Sequence, residues 1–361
     1  MMQRTSKRLV TILDVAQNAG VAKATAARVL GNYGTASPEV REKVLEAAKK
    51  LGYQANELAR SMTTGKSKTI GVIVGDIENQ YFGQAVRGIS DAARGAGFDV
   101  ILANSGEDAA KEKAAVRVLL GKRVDGLIIT PASVFDAQHL HDIHRSGRPM
   151  VLLDRTVPGL TVDSVVTDDR HAAEGATRAL LEVGHRRIAY ISATESDDPV
   201  YSGPHQINLS TVMNRIEGVV AASRSAGIEH PERYIRLAAY RRKADDDIIA
   251  QLLQGAERPT AILASDSVVA LEVFKTVRKL GMSIPGDLSL VAFHDADWTS
   301  VTSPPITVIA QPVYGLGFES AQMLVQRISG VTEPPRSRVL ATSFIQRQSI
   351  GPPPQLPGGR P

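Results

Sequence analysis

At 361 residues the chain is longer than a usual single domain, so two or three domains are expected, and an apolar content of 43% suffices for a large buried core. The absence of cysteine excludes disulfides, thiolate metal sites and cysteine nucleophiles, and fits a reducing compartment. Of the 42 Lys and Arg and 38 Asp and Glu, residues 1–68 hold 12 and 5, which leaves 30 and 33 for the remainder. The positive excess therefore lies wholly at the N-terminal end, as in a module that neutralises phosphates. Residues 1–10 are polar and basic without an apolar stretch of the secretory type, and no apolar run is long enough to span a bilayer. A cytoplasmic protein with no membrane partner is expected.

The first periodic stretch is Thr11–Leu30. Ile12, Val15, Ala16 and Ala19 fall on one stripe of a short helix, Thr11 and Asp14 have the spacing of a capping box, and Gly20 suits the exit. A second short helix follows, with Ala26, Val29 and Leu30 inward and Lys23, Ala24, Thr25 and Arg28 outward. Two short helices joined by a glycine turn form either a helix-turn-helix, whose second helix enters the DNA major groove, or a plain helical hairpin. Ser37 and Pro38 start a third helix with Val40, Val44, Ala47, Ala48 and Leu51 as its stripe, and Gly52 ends it. Residues 53–68 read as a helical turn or two followed by linker.

From Thr69 the pattern changes to apolar strands alternating with helical stretches. Strands are expected at Ile70–Val74, Val100–Ala103, Gly126–Thr130, Met150–Leu153, Val165–Val166, Arg187–Ala193, 234–238, Ala261–Ala264, Leu288–Phe293, near 306, and at 338–347. Helices are expected near 82–94, 108–120, 136–145, 170–182, 211–226, 244–254, 267–280 and toward 328. Such alternation implies parallel sheets covered on both faces, in two doubly wound units with ligands outside the carboxyl ends of the strands. The proline- and glycine-rich tail 351–361 reads as disordered.

Enzymatic readings find little purchase. No Gly-x-Gly-x-x-Gly follows a strand, no phosphate-cradling Gly-x4-Gly-Lys-Ser/Thr occurs, and no nucleophile–base pair has a local signature. His139, His141 and His144 have some look of a metal cluster but lie on a polar helix face and read as surface histidines, so no metal or cofactor is expected. A solute-binding transport component would need an export signal and would lack a basic helical head.

In order and spacing, the densest motifs resemble the lactose-repressor (LacI/GalR) family of bacterial transcription regulators. They are Thr-Ile-Leu-Asp-Val-Ala-x-x-Ala-Gly-Val (11–21), Arg-Val-Leu (28–30), Ser-Pro-Glu-Val-Arg-Glu-Lys-Val-Leu-Glu-Ala-Ala (37–48), Leu-Gly-Tyr (51–53) and Asn-Glu-Leu-Ala-Arg-Ser (56–61). Further on come Lys-Thr-Ile-Gly-Val-Ile-Val (68–74), Gly-His-Arg-Arg-Ile-Ala (184–189), Ala-Ser-Asp (264–266) and Pro-Pro-Ile-Thr-Val-Ile-x-Gln-Pro (304–312). The resemblance covers about Thr11 to Ile350. It implies an α/β protein: an N-terminal all-α helix-turn-helix headpiece (1–52), a hinge helix and linker (53–68), and a periplasmic-binding-protein-like core (69–350). The core would comprise two doubly wound parallel-sheet subdomains, about 69–167 with 312–339 and about 168–311 with 340–350, the chain crossing near 167, 311 and 340.

The function implied is a repressor, a homodimer on double-stranded palindromic operator DNA, its affinity modulated by a small effector, a sugar or related metabolite. The DNA contacts carried over are Thr11, Lys23, Ala24, Thr25, Arg28, Asn32, Asn56 and Met62. Lys23 would reach guanine N7 and O6 or a phosphate, Thr25 a thymine methyl, and Met62, where leucine is common, would wedge into the minor groove. Ala22 replaces the family's usual serine cap of the second helix, and Ala26-Ala27 replace a Val-Ser pair. The effector positions are Asn79, Tyr81, Phe82, Asp154, Arg155, Arg215, Ser265, Asp266, His294 and Asp295. Ser265 and His294 stand where many members carry Asn and Asp, which changes two acceptors for sugar hydroxyls. The polar segment 195–210 precedes Arg215 and reads as a cover for the cleft or a solvent loop.

Overall fold

A computed structural model describes residues 10–31, 33–53, 66–237 and 248–355. The chain divides into two units, Met1–Lys68 and Thr69–Pro361. In the first, α1 (Ile12–Ala19), α2 (Lys23–Leu30) and α3 (Pro38–Leu51) enclose a small core of Val15, Ala16, Ala26, Val29, Val44, Ala47 and Ala48. Thr11 and Asp14 cap α1 reciprocally: the Asp14 amide donates to Thr11 Oγ1, and the Thr11 amide donates to Asp14 Oδ2 at 2.8 Å. Gly20 (φ 64°) takes the left-handed conformation that lets the chain turn sharply into α2. Ala22 leaves the N-terminus of α2 without a side-chain cap.

The second unit holds two six-stranded sheets. The first is built from β1 (Thr69–Val74), β2 (Asp99–Asn104), β3 (Gly126–Ile129), β4 (Met150–Leu153), β5 (Asp163–Thr167) and β11 (Ser337–Leu340). Its order is β11-β5-β4-β3-β1-β2, parallel throughout. The second contains β6 (Ile188–Ile191), β7 (Ile235–Arg236), β8 (Ala261–Ala264), β9 (Ser289–Phe293), β10 (Thr307–Ala310) and β12 (Ser343–Ile345). It runs β12-β10-β9-β8-β6-β7, with only β12 antiparallel to its neighbour. Central strands such as Ala-Ile-Leu-Ala (261–264) are buried at every residue because helices cover both faces. The helices of this unit are α4 (Gln80–Gly95), α5 (Ala109–Gly121), α6 (Gln138–Arg145), α7 (Asp169–Glu182), α8 (Ser210–Ser225), α9 (Ile248–Gln254), α10 (Ser267–Lys279), α11 (Asp297–Val301) and α12 (Val313–Ile328).

Helices α4 and α12 pack together over the first sheet, and α7 and α8 pack together in the second half. The α4–α12 approach is glycine-dependent: a Cβ on Gly317 would stand 1.9 Å from the Ala85 carbonyl oxygen, and one on Gly88 2.1 Å from that of Tyr314. The chain passes between sheets after β5, after β10 and between β11 and β12. The stretch 338–347, expected as one strand, is thus two, in different sheets. It breaks at Thr342, whose amide donates to Asp168 Oδ1 at 2.9 Å, so the first and third crossings are bonded to each other.

The reading of a disordered tail from 351 needs correction at its start. Gly351 is fixed by its amide donating to Ser289 Oγ (3.0 Å) and its carbonyl 2.9 Å from His185 Nε2. This buried imidazole also meets Thr260 Oγ1 and Ser289 Oγ at 2.9 Å, so it joins three separate segments of the chain.

Candidate functional site

The exposed surface of α2 is the first candidate. Lys23, Ala24 and Arg28 are exposed and Thr25 is half-buried, because Ala26 and Val29 of the same helix face the core. Arg28 lies along its own helix, with Nε donating to the Ala24 carbonyl at 3.3 Å. Thr11 is exposed, but its hydroxyl is engaged with Asp14 Oδ2 at 2.7 Å. Asn32, Asn56 and Met62, and with the last two the hinge-helix reading over 54–65, lie outside the described residues.

The second candidate is a cleft of about 1090 Å³, open to solvent, at the carboxyl ends of both sheets. From the first sheet, the segments after β1 (Asp76, Asn79), β2 (Glu107), β3 (Ala132) and β4 (Asp154, Arg155) face it, with Tyr81 and Phe82 from α4. From the second come the segments after β6 (Ser192–Glu195), β8 (Ser265, Asp266), β9 (His294) and β10 (Gln311), together with the start of α8 and its Arg215. Nine of the ten effector positions therefore gather in one place. The tenth, Asp295, does not line the cleft. Its carboxylate receives Arg347 Nη2 at 2.7 and 2.8 Å and the Thr299 hydroxyl at 2.8 Å, which binds the end of β9 to the C-terminal strand segment.

Several cleft groups also serve the fold. Asn79 Oδ1 caps α4 by accepting from the Tyr81 amide at 3.0 Å. Asp266 Oδ1 caps α10 by accepting from the Val268 and Val269 amides, both at 2.8 Å, while Oδ2 accepts from the Ser265 hydroxyl. Asp154 (φ 68°), His294 (φ 72°) and Glu107 (φ 62°) adopt left-handed backbone conformations just beyond their strands, a costly geometry that aims their side chains at the cleft.

Both cleft arginines are held by protein groups. Arg155 makes a fork with Glu107, at 2.5 Å from Nη1 and 2.9 Å from Nη2, and Nη1 also donates to the Pro131 carbonyl at 3.1 Å. Arg215 donates from Nε to Asp169 Oδ1 at 2.6 Å and from Nη1 to the Ser265 carbonyl at 2.5 Å, and its plane lies over Phe293 at 3.9 Å. Burial acts to lower both guanidinium pKa values. Glu107 and Asp154 outweigh it at Arg155, and Asp169 with Tyr190 and Asp154 at Arg215, so both are held above the ordinary arginine value. Burial, reinforced by Asp154, pushes the Tyr81 hydroxyl well above its ordinary pKa, and it donates to Asp154 Oδ1 at 2.5 Å.

The His294 ring makes two contacts and leaves one nitrogen open. Its Nδ1 meets Ser267 Oγ at 3.0 Å, its ring meets Tyr81 edge-on at 5.5 Å between centroids, and Nε2 is buried without a partner. Burial depresses its pKa despite Asp266, Asp295 and Asp297 nearby. Thr194 Oγ1 and Gln311 Nε2 are likewise buried and unpartnered.

Bonds also cross between the halves. The Val134 amide donates to the Asn208 carbonyl at 2.8 Å, and the Thr156 amide to Ser210 Oγ at 2.9 Å. Within 195–210, the Gln206 carboxamide accepts from the Ser202 amide at 2.6 Å and donates to the Val200 carbonyl at 3.2 Å, so the segment is knit by one side chain.

The sequence reading missed Asp76, Glu107, Ser192, Thr194, Asn208, Thr211 and Gln311 at the cleft. Their signal was position just beyond an expected strand or at the start of an expected helix. The surface reading of His139 is also corrected: its Nε2 lies 2.7 Å from the buried carboxylate of Glu112, which holds the Ala132 amide with its other oxygen.

Comparison with known proteins identifies the family. Residues 67–348 match the family model described as periplasmic binding proteins and sugar binding domain of LacI family, and residues 11–56 that of bacterial regulatory proteins, lacI family. The chain belongs to the LacI family. It is a ligand-responsive, DNA-binding transcriptional regulator and not an enzyme. The transcriptional repressor CytR of Escherichia coli is 31% identical, over 97% of this chain and 98% of its own. A Lac repressor dimer bound to operator and the anti-inducer ONPF superposes with a TM-score of 0.80 at 25% identity, covering 95% of this chain and all of that one. A LacI family regulator from Enterococcus faecium with bound ribose has a TM-score of 0.65 at 30% identity, covering 79% and 99%. Among the described residues, no helix is long and apolar enough to cross a membrane.

Proposed function

We propose that this LacI-family regulator is a cytoplasmic repressor that binds a palindromic operator as a homodimer and changes its DNA affinity when a sugar or sugar derivative fills the cleft. The observation that carries the reading is one chain holding both a basic helix-turn-helix with an exposed second helix and a cleft whose buried polar atoms lack partners. Lys23, Ala24, Thr25 and Arg28 present the reading surface, with Thr11, Asn32, Asn56 and Met62 as further DNA contacts. Asn79, Tyr81, Phe82, Asp154, Arg155, Arg215, Ser265, Asp266 and His294 form the effector site. The Lac repressor dimer on its operator and the ribose-bound regulator support the two halves of this assignment.

The dimer finds support in the edge strand β2, where Ile101 and Leu102 are exposed beside Val118 of α5. An edge with open backbone groups and an apolar margin suits a second copy applied by two-fold symmetry. Linkage then follows: a ligand that binds one arrangement of the two sheets better than another shifts the population competent for DNA.

Gel retardation tests the assignment. Removal of residues 1–68 should abolish operator retention while the remainder keeps its fold. Equal retention by the truncated and intact chains would defeat the reading. Met62→Gly should weaken operator affinity and leave effector affinity unchanged.

A further inference from the structure

The charges around the cleft are unbalanced. Among the described residues, Asp76, Glu107, Asp154 and Asp266 face it against two cations, Arg155 and Arg215. Neither arginine offers an open fork. Glu107 occupies both terminal nitrogens of Arg155, and Asp169 with the Ser265 carbonyl holds Arg215 along its edge while Phe293 covers one face. A phosphate or carboxylate entering here would have to break one of these pairs, stranding a buried acid, or face the surplus of carboxylates directly. Apart from Arg155 Nε, which lies 3.5 Å from Asp154 Oδ2, the open hydrogen-bonding positions belong to uncharged groups, Gln311 Nε2 among them. His294 Nε2 and Thr194 Oγ1 are unpartnered on residues that are 3% and 6% exposed, and both residues line the cleft. An unsatisfied buried group costs stability until a ligand atom pairs with it, so these two atoms mark where a ligand gains most. Tyr81 and Phe82 add an aromatic corner, their rings edge-to-face at 5.3 Å.

We propose that the cleft is selective for an uncharged, hydroxyl-bearing ligand and rejects the phosphorylated or acidic form of the same molecule, with His294 and Thr194 as specificity-determining contacts to its hydroxyl groups. This rests on the cleft being the effector site. The selectivity arises in two layers: the acid surplus excludes anions, and the two orphan atoms reward a neutral donor or acceptor. The place an anion would otherwise choose is the N-terminus of α8, where Leu209 supplies no side-chain cap.

The test uses the full-length protein and matched pairs: ribose and ribose 5-phosphate, glucose and glucose 6-phosphate, galactose and galacturonate, cytidine and cytidine monophosphate, with inorganic phosphate alone as a further probe. Thermal shift at about 10 mM ligand, followed by calorimetry on any responder, reads the affinity. At least one neutral member should stabilise the protein, and its anionic partner should bind about 100-fold more weakly or not at all. Stabilisation by phosphate or by any anionic member equal to that of its neutral partner would overturn the proposal, as would a panel in which no neutral member responds.

Two variants sharpen it. Thr194→Val should weaken the responding neutral ligand about tenfold. Glu107→Gln, which releases the Arg155 fork, should raise affinity for inorganic phosphate about tenfold over the unaltered protein. Unchanged affinities in both variants would count against the assignment, and the matched pairs decide alone if either fails to fold. Operator retention measured on the same samples separates this from the regulatory reading. A neutral ligand that binds without altering retention removes the effector role and leaves the selectivity, whereas an anionic ligand that binds and alters retention does the opposite.

Discussion

The headpiece and the core treat their charged side chains in opposite ways. In the helix pair, Lys23 and Arg28 project from a surface over a core of small apolar residues, and among the described residues only the helix's own Ala24 carbonyl engages Arg28. In the core, Arg155, Arg215, Asp169 and Glu107 are locked into pairs at the mouth or floor of the cleft. A surface that must meet a long polyanion keeps its cations free, whereas a pocket that must recognise a small molecule fixes its charges beforehand and leaves a few neutral valences open. Substitutions in the two regions should therefore fail differently, the core ones through stability and the headpiece ones through DNA affinity.

The sharpest way to break this contrast is Asp169→Asn, which strands the Arg215 charge in a site where the two side chains are 9% and 1% exposed. It should cost about 3–5 kcal/mol in chemical denaturation of the core. A loss below about 1 kcal/mol, the level of a surface pair, would show that the floor is wetter than its burial says. Next is Gly317→Ala, which pushes a methyl against the Ala85 carbonyl and should cost about 1–3 kcal/mol by the same measurement.

Acidity gives a smaller, graded effect. His185 and His294 have pKa values depressed by burial, opposed at His185 by the Gly351 carbonyl and at His294 by nearby aspartates. The unfolded chain therefore takes up more protons below about pH 6.5, so their contribution to stability is complete above that value and is lost as pH falls from there through the depressed folded values. The melting temperature of the core should drop between pH 7 and pH 5. A profile flat across that interval in His185→Gln but not in the unaltered protein would assign the effect to His185. Smallest is Ala22→Ser, which restores a cap to α2 and should stabilise the headpiece by about 1 kcal/mol without moving the core transition. A shift in the core transition instead would deny the independence of the two regions.

The same division explains what could be read from the chain. The capping box at Thr11 and Asp14, the Gly20 exit and the apolar stripes are interactions over three or four residues, visible in any window of that length. The cleft was legible as a set of places, because parallel sheets put their ligand-facing segments after strands and the family motifs mark several of them. Its internal pairings were not. Glu107 and Arg155 are 48 positions apart, Asp169 and Arg215 46, and His185 and Ser289 104, and no local pattern announces such partners. Arg215 read simply as an effector position because Asp169 is invisible to it in sequence, and Asp295 read as a ligand contact because Arg347 is. The single strand expected over 338–347 failed for a related reason: both pieces are strand-like, and only the Asp168 carboxylate at Thr342 divides them.

That bond has a mechanical consequence. Two of the three chain passages between the sheets are riveted together at Asp168 and Thr342, leaving Gln311 and Pro312 as the separate third pin. A door hung on one double hinge and one single hinge can swing about the line joining them but resists sliding or shearing across it. Any parting of the two leaves of this core is steered toward rotation, and the free edges farthest from that line travel most.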